Sequence, residues 1–255
     1  MTEHSDWNLL TAELDLWAEA GRTATLWWRD DDAATPCAGL SNLRLAASSA
    51  GVSVALAVIP ARATPDLGID LAGWPGARIL QHGLSHTNHE APPAKKAELG
   101  AGRPVDEVLA DLAEGWRLLT PFDPLPVLVP PWNRIAPGLI NRLPAAGYAG
   151  LSTFNARPKH HPAPGLVQVN THVDIMNWRD GGGFVGIPAA LGAAVRHLAD
   201  RREGKVDPAE PTGLLTHHLV HDAACWGFIG RFVTLTAAHP AARWLDASDV
   251  FGIKT

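Results

Sequence analysis

The 255-residue chain is 46% hydrophobic and 18% charged, a composition that supports a sizeable core and excludes a disordered chain. Its formal net charge is −5 with no basic run, which turns attention away from nucleic acid as a partner. No stretch reaches transmembrane length, and the opening MTEHSDWNLL lacks the basic-then-apolar pattern of a secretory leader, so a cytoplasmic protein with no membrane partner is expected.

In chain order, the spacing of Trp7, Leu10, Leu14 and Trp17 predicts a helix over 6–20, stopped by Gly21. Residues 23–28 read as a short buried strand ending in Arg29-Asp30-Asp31-Asp32. A helix over 38–50 closes at Gly51, and the β-branched run 52–59 reads as a strand covered on both faces. A third strand, 78–81, runs straight into His82, and the polar, proline-bearing stretch 87–102 reads as a loop. Val105, Val108, Leu109, Leu112, Trp116 and Leu119 predict a helix over 105–119. A short strand at 126–129 precedes Pro130-Pro131-Trp132-Asn133, and a helix over 137–146 opens on a proline. Strands at 149–153 and 166–170, a glycine-rich loop at 179–186, a helix over 187–202, a strand at 213–216 and a helix over 223–238 complete the pattern, with a strand or helical turn in the tail at 244–253.

Such alternation of strands and helices predicts an α/β fold with a parallel sheet, open or closed into a barrel. No linker or internal repeat divides the chain, so residues 1–255 are expected to form one domain. Cys37 and Cys225 form neither a CxxC pair nor a zinc-ribbon spacing and are expected to be reduced, largely buried thiols. Ten tryptophans against one tyrosine leave two readings open, sugar stacking and core filling.

Polar residues gather after the strands: Asp30-Asp31-Asp32, then His82, His86 and His89, then Trp132-Asn133-Arg134, then His172, Asp174, Asn177 and Trp178, then His217, His218, His221 and Asp222. In parallel α/β folds the C-terminal strand ends share one face, and that face carries the active site. Adjacent buried carboxylates repel unless a cation intervenes. His82 and His86, spaced as on one helical turn, would chelate it, with His89 as a further candidate. Imidazole with carboxylate suits zinc first, and also cobalt, nickel or iron, and three protein ligands leave positions open for water and substrate. One of the tandem histidines 217 and 218 should face the site and act as general acid. Gly181-Gly182-Gly183 lacks the phosphate-loop pattern, and the chain offers no GxSxG elbow.

The order of these clusters resembles the polysaccharide deacetylases of carbohydrate esterase family 4, over roughly residues 26–222. The family's TFDDG motif resembles Arg29-Asp30-Asp31-Asp32-Ala33, its H[ST]xxH motif His82-Gly83-Leu84-Ser85-His86, its RxP[YF] motif Val129-Pro130-Pro131-Trp132, its DxxDW motif Asp174-Ile175-Met176-Asn177-Trp178, and its LxH motif Leu215-Thr216-His217. The resemblance implies a distorted (β/α)7 barrel of parallel strands with outer helices, and metal-dependent hydrolysis of an N-acetyl or O-acetyl group. Asp32, His82 and His86 would hold the metal, Asp31 would be the base, His217 the acid with Asp174 orienting it, and the backbone N–H of Trp132 an oxyanion donor.

Val129 stands where the family has an arginine and Asn177 where it has an aspartate. Arg29 and Arg134 are the candidate replacements for the arginine, and the three aspartates align onto two with a one-residue ambiguity that leaves Asp30 open. The partner expected is an acetylated sugar or a small amide substrate. Two other functions stay open: hydrolysis of a small amide or ureide on the same barrel, and a barrel without catalysis that binds a ligand.

Overall fold

A computed structural model describes residues 3–178 and 181–254. Its centre is strand β1 (Ala24–Ala33), flanked by β2 (Val54–Val58) on one side and β8 (Thr212–Thr216) on the other. From β2 the sheet continues through β3 (Ala77–Gln81), β4 (Val127–Leu128), β5 (Gly150–Leu151) and β6 (Val167–Gln168), and from β8 it ends at β7 (Val173–Asp174). Every pairing along this path is parallel. A ninth strand, β9 (Ala242–Trp244), joins the lower part of β1. The eight strands form a curled, incompletely closed barrel wrapped by helices, the distorted (β/α) barrel expected of the chain.

Three apolar clusters hold the barrel, and strand alternation sorts residues between its inner and outer faces. Leu26, Trp28, Val54, Leu56, Val58 and Ile79 face outward into the larger core. That core also takes the inner faces of α1 (Glu3–Glu19), α2 (Ala38–Ala50), α6 (Ile187–Arg202) and α7 (Ala223–Ala238). Trp27, Ala55, Ala57, Leu80, Val127, Val129 and Val169 face the barrel interior. The interior is floored by α8 (Ala247–Phe251), where Phe251 meets Trp27 edge-on at 5.7 Å. Small Ala55 and Ala57 leave room for Trp27 and the side chains above it. Trp7, Trp17, Trp27 and Trp28 are thus core residues. No helix among the described residues is long and apolar enough to cross a membrane.

Several elements differ from the sequence reading. Strand β1 runs on through the three aspartates to Ala33, so they belong to the sheet and do not merely follow it. Helix α3 (Pro65–Ala72) was not foreseen. The helix expected over 137–146 is one short turn, α5 (Pro137–Ile140), followed by a 3-10 turn at Pro144–Ala146, because Pro144 removes an interior donor. The pair Val173–Asp174 forms a strand of its own. Helix α4 (Val105–Leu119) matches its expected range. In the loop expected at 179–186, Arg179 and Asp180 lie outside the described residues.

Gly213 pairs with Trp27 across β1 and β8, and a Cβ there would sit 2.6 Å from Trp27 Nε1 and 2.7 Å from both Asn170 O and Thr171 Cα. Two of those atoms are backbone and cannot swing aside. Gly213→Ala is expected to lower stability by about 1–3 kcal/mol in urea unfolding, the usual overpacking range; an unchanged midpoint would mean that the barrel yields at this seam.

Candidate metal centre and catalytic cleft

Strand β1 carries four consecutive ionisable side chains, and each meets a different partner. Arg29 and Asp31 point into the barrel mouth, where Arg29 Nε and Nη2 donate to Asp31 Oδ1 and Oδ2 at 2.8 and 3.0 Å. The Arg29 guanidinium is fully buried and also donates to Ser152 Oγ at 2.7 Å and Asn133 Oδ1 at 2.6 Å. Of the two arginines considered in the sequence, Arg29 is the one that pairs with Asp31, two residues away on the same strand. Arg134 lies on the cleft rim, donating to Lys96 O.

Asp30 points the other way, out between sheet and helices, where it accepts from Thr216 Oγ1 (2.6 Å), His218 N (3.1 Å) and His218 Nδ1 (2.5 Å). Of the three aspartates, Asp31 is the one paired with arginine, and Asp30 serves a separate histidine.

Strict alternation would leave Asp32 facing away from Asp31. The β1–β2 register slips between Asp31 and Ala33, and Asp32 takes a left-handed φ of 73°. This bulge re-aims the side chain into the cleft beside Asp31. There Asp32 Oδ1 lies 3.3 Å from both His82 Nε2 and His86 Nε2. His82 Nδ1 faces Val129 O at 2.9 Å, which places its proton on Nδ1 and the lone pair on Nε2. Asp32 Oδ1 itself is buried with no hydrogen-bond partner. Converging lone pairs with no proton donor between them fit a cation. A tetrahedral ion with ligand distances of about 2.0–2.1 Å has ligand–ligand edges of about 3.3 Å. Although burial works against its charge, the adjacent His82 and His86 imidazoles hold the Asp32 carboxyl well below the usual range.

Residues 82–86 are not a helical turn. They leave β3 as an irregular loop with Gly83 and His86 both at positive φ. Buried Glu98 organises this loop, accepting from the N–H groups of Leu84 (3.3 Å), Ser85 (2.8 Å) and His86 (3.2 Å). A Cβ on Gly83 would fall 2.0 Å from Glu98 Oε2, so only glycine lets the loop close over the carboxylate. Glu98 was missed in the sequence because it sits in a polar stretch with no motif around it.

Asp31, Asp32, His82, His86, Asp174 and His217 line one cleft of about 670 Å³. Across from the histidine pair, Trp178 packs edge-on against His217 at 4.7 Å and donates Nε1–H to Asp174 Oδ2 at 2.8 Å. Met176 N donates to the other Asp174 oxygen. Both Asp174 oxygens thus have donors other than His217, and Trp178 touches both residues. Burial raises the Asp174 pKa, with the charge of His217 opposing. The His217 N–H donates to His221 Nε2 at 3.0 Å, while its Nδ1 is buried without a partner. Trp132 packs on His86 at 4.2 Å, and Trp132 and Asn133 take left-handed φ of 55° and 56°.

Besides His218, other histidines of the sequence clusters go elsewhere. His89 is exposed and outside the ligand group. His172 is buried at the opposite end of β8, beside Glu210 and stacked on His197 at 3.4 Å and 16°. His172, His197 and Glu210 could be mistaken for a second metal set. Their rings lie face to face, so the in-plane lone pairs run parallel. His172 Nδ1 already accepts from Gly213 N at 3.0 Å, which leaves its proton on Nε2, toward Glu210.

No family model matches the sequence, and no curated protein matches it. Among solved structures the chain is similar to a family 4 carbohydrate esterase from Streptomyces lividans in complex with acetate, with TM-score 0.56, 15% identity and coverage of 86% of this chain and 90% of that one. It is similar to a peptidoglycan deacetylase from Bacillus subtilis, with TM-score 0.54, 13% identity and coverage of 89% and 90%. It is also similar to a family 4 acetyl xylan esterase from Clostridium thermocellum in complex with cobalt, with TM-score 0.50, 13% identity and coverage of 90% and 93%. At such identities the likeness establishes the fold.

Glu98→Gln replaces an acceptor-only group by one that must also present donors to backbone N–H groups. Metal affinity is expected to fall about 10–100-fold in a chelator competition, the usual loss for a group that orients a ligand; an unchanged Kd would show that the loop holds itself. His218 offers a pH test. Burial pulls its pKa down, but the Asp30 carboxylate and its hydrogen bond raise it to about 9. A folded value above the unfolded one stabilises fully below about pH 6.5 and is lost as pH rises toward 9, on the order of 3 kcal/mol. Tm should therefore fall between pH 6.5 and 9.5, and His218→Asn should flatten that slope.

Proposed function

We propose that this chain is a metal-dependent deacetylase, a single catalytic domain that hydrolyses an N-acetyl or O-acetyl group on a sugar or sugar-like substrate. The observation that carries the reading is Asp32 Oδ1, buried and unpartnered between the Nε2 atoms of His82 and His86, in the same cleft as an arginine-oriented carboxylate. The names of the structural neighbours support it: an esterase with acetate, a peptidoglycan deacetylase and an acetyl xylan esterase with cobalt.

In this proposal Asp32, His82 and His86 hold a divalent ion, with zinc first and cobalt, nickel or iron also suited to the donors. Such an ion supplies Lewis acidity toward the acyl carbonyl and a more acidic water. Asp31, its two oxygens fixed by Arg29, takes the proton from the attacking water. His217, across the cleft, gives a proton to the leaving amine or alcohol. Trp178 shields the His217–Asp174 side from solvent, and Asp174 acts on His217 by charge. The backbone N–H of Trp132 serves the developing oxyanion. The exposed face of Trp178, 53% accessible, is a surface for a sugar ring to stack on.

A cleft of about 670 Å³ also suits a small amide, which keeps that substrate class as a second reading. Metal content by elemental analysis, followed by acetate release from acetylated sugars, separates the readings. Asp32→Ala should lose bound metal and reduce acetate release at least about 1,000-fold together. Full activity in that variant would overturn the assignment. Metal retention with turnover of small amides alone would move the substrate to the second reading.

A further inference from the structure

Two cations, Lys96 and Arg134, line the cleft on the side of Trp132 and His86. Main-chain contacts fix where they stand. Residues 96–99 run beside 134–136: Arg134 Nη1 donates to Lys96 O at 2.7 Å, Leu99 bridges Ile135 in parallel, and Ala136 N donates to Leu99 O at 2.8 Å. The residue after Lys96 is held as well, with Ala97 N donating to Asn88 Oδ1 and Ala97 O accepting from His89 N, both at 3.0 Å. Among the described residues neither cation meets a carboxylate. The acids nearest Lys96 in the chain are committed to backbone: Glu90 accepts from Gly102 N at 2.8 Å, and Glu98 from the three amides of the His86 loop. Inside the cleft Asp31 already has Arg29, and Asp174 takes its donors from Met176 and Trp178. A chain of net charge −5 thus keeps two unanswered positive charges where a substrate must pass.

We propose that the substrate carries an anion beside its acetylated sugar, a carboxylate or a phosphate monoester, and that Lys96 and Arg134 bind it. This rests on the deacetylase reading above and narrows its substrate class. Arg134 is half-buried, and its bond to Lys96 O occupies Nη1. The Nε–Nη2 edge is left, and that edge is the fork that matches two oxygens of one carboxylate or phosphate. Lys96 is exposed and acts as a point charge that draws the anion in and then shares it. A neutral acetylated polymer gives neither cation a partner and leaves both to water.

The test compares acetate release by the metal-loaded full chain from N-acetylglucosamine, N-acetylglucosamine 6-phosphate and N-acetylmuramic acid: one sugar in neutral, phosphorylated and carboxylated form. At least one anionic sugar should exceed the neutral one by about 10-fold or more in kcat/KM, the usual effect of a hydrogen bond to a charged group. That preference should shrink as salt is raised. A preference for the phosphate alone assigns a sugar phosphate, and one for the carboxylate alone an acidic sugar. The double variant Lys96→Gln, Arg134→Gln should bring the ratio of anionic to neutral kcat/KM close to one. Turnover of the neutral sugar as fast as both anionic ones overturns the proposal, as does a preference that the double variant keeps. If none of the three releases acetate, the deacetylase reading fails for them, and isothermal titration calorimetry judges the cations separately. Binding of either anionic sugar that the double variant weakens about 10-fold or more supports the proposal, and binding that is absent or equal in the two proteins overturns it.

Discussion

Four neighbouring ionisable groups on the central strand of a barrel are a severe constraint, and the rest of the structure follows from meeting it. Leaving one buried charge without its partner costs about 3–5 kcal/mol, a large part of the 5–15 kcal/mol that holds a typical domain together. Alternation resolves half of the problem by sending Arg29 and Asp31 into the mouth and Asp30 out to His218. The bulge at Asp32 resolves the remainder, turning a third carboxylate into the mouth without giving it an arginine. What it meets instead is a pair of imidazole lone pairs, and that deficit of positive charge is what makes the site read as a metal centre.

The supporting residues follow the same logic. Glu98 gathers three amides and thereby fixes where His86 can be, while Val129 contributes only its carbonyl, which sets the tautomer of His82. Ser152 and Asn133 accept the remaining donors of Arg29, so the Asp31 carboxylate is anchored from the residue after β5 and from the 3-10 turn after β4 as well as from its own strand. On the opposite wall a single indole ties Asp174 to the face of His217. The two halves of the cleft are built from different strands and meet where β1 pairs with β8.

Much of this was legible in the sequence. The strand–helix alternation predicted a parallel sheet, the family resemblance implied its barrel form, and the clusters at strand ends pointed to the cleft. The readable part is whatever depends on local period and chain order. What was not legible depends on parity and on distant partners. Whether Asp30 or Asp31 faces inward turns on a one-residue register, and the bulge that breaks alternation at Asp32 leaves no trace in composition. His172 looks like a member of the site cluster by position, yet its strand directs it to the opposite end. The loop 82–86 has helical spacing but no helix, because its shape is set by a carboxylate twelve residues beyond His86.

Among the described residues, six other than glycine have left-handed backbone, and four of them, Asp32, His86, Trp132 and Asn133, line this one cleft. For residues with a Cβ such corners carry a steric penalty, lowest for asparagine and aspartate and prohibitive for β-branched side chains. The alphabet open to these positions is thus narrowed twice, once by chemistry and once by backbone shape. Valine, isoleucine or threonine at any of them would be rejected by the main chain itself, before substrate or ion had any say. Drift toward a new activity on this barrel has easier ground on the wall formed by Asp174 and Trp178, where no such corner stands.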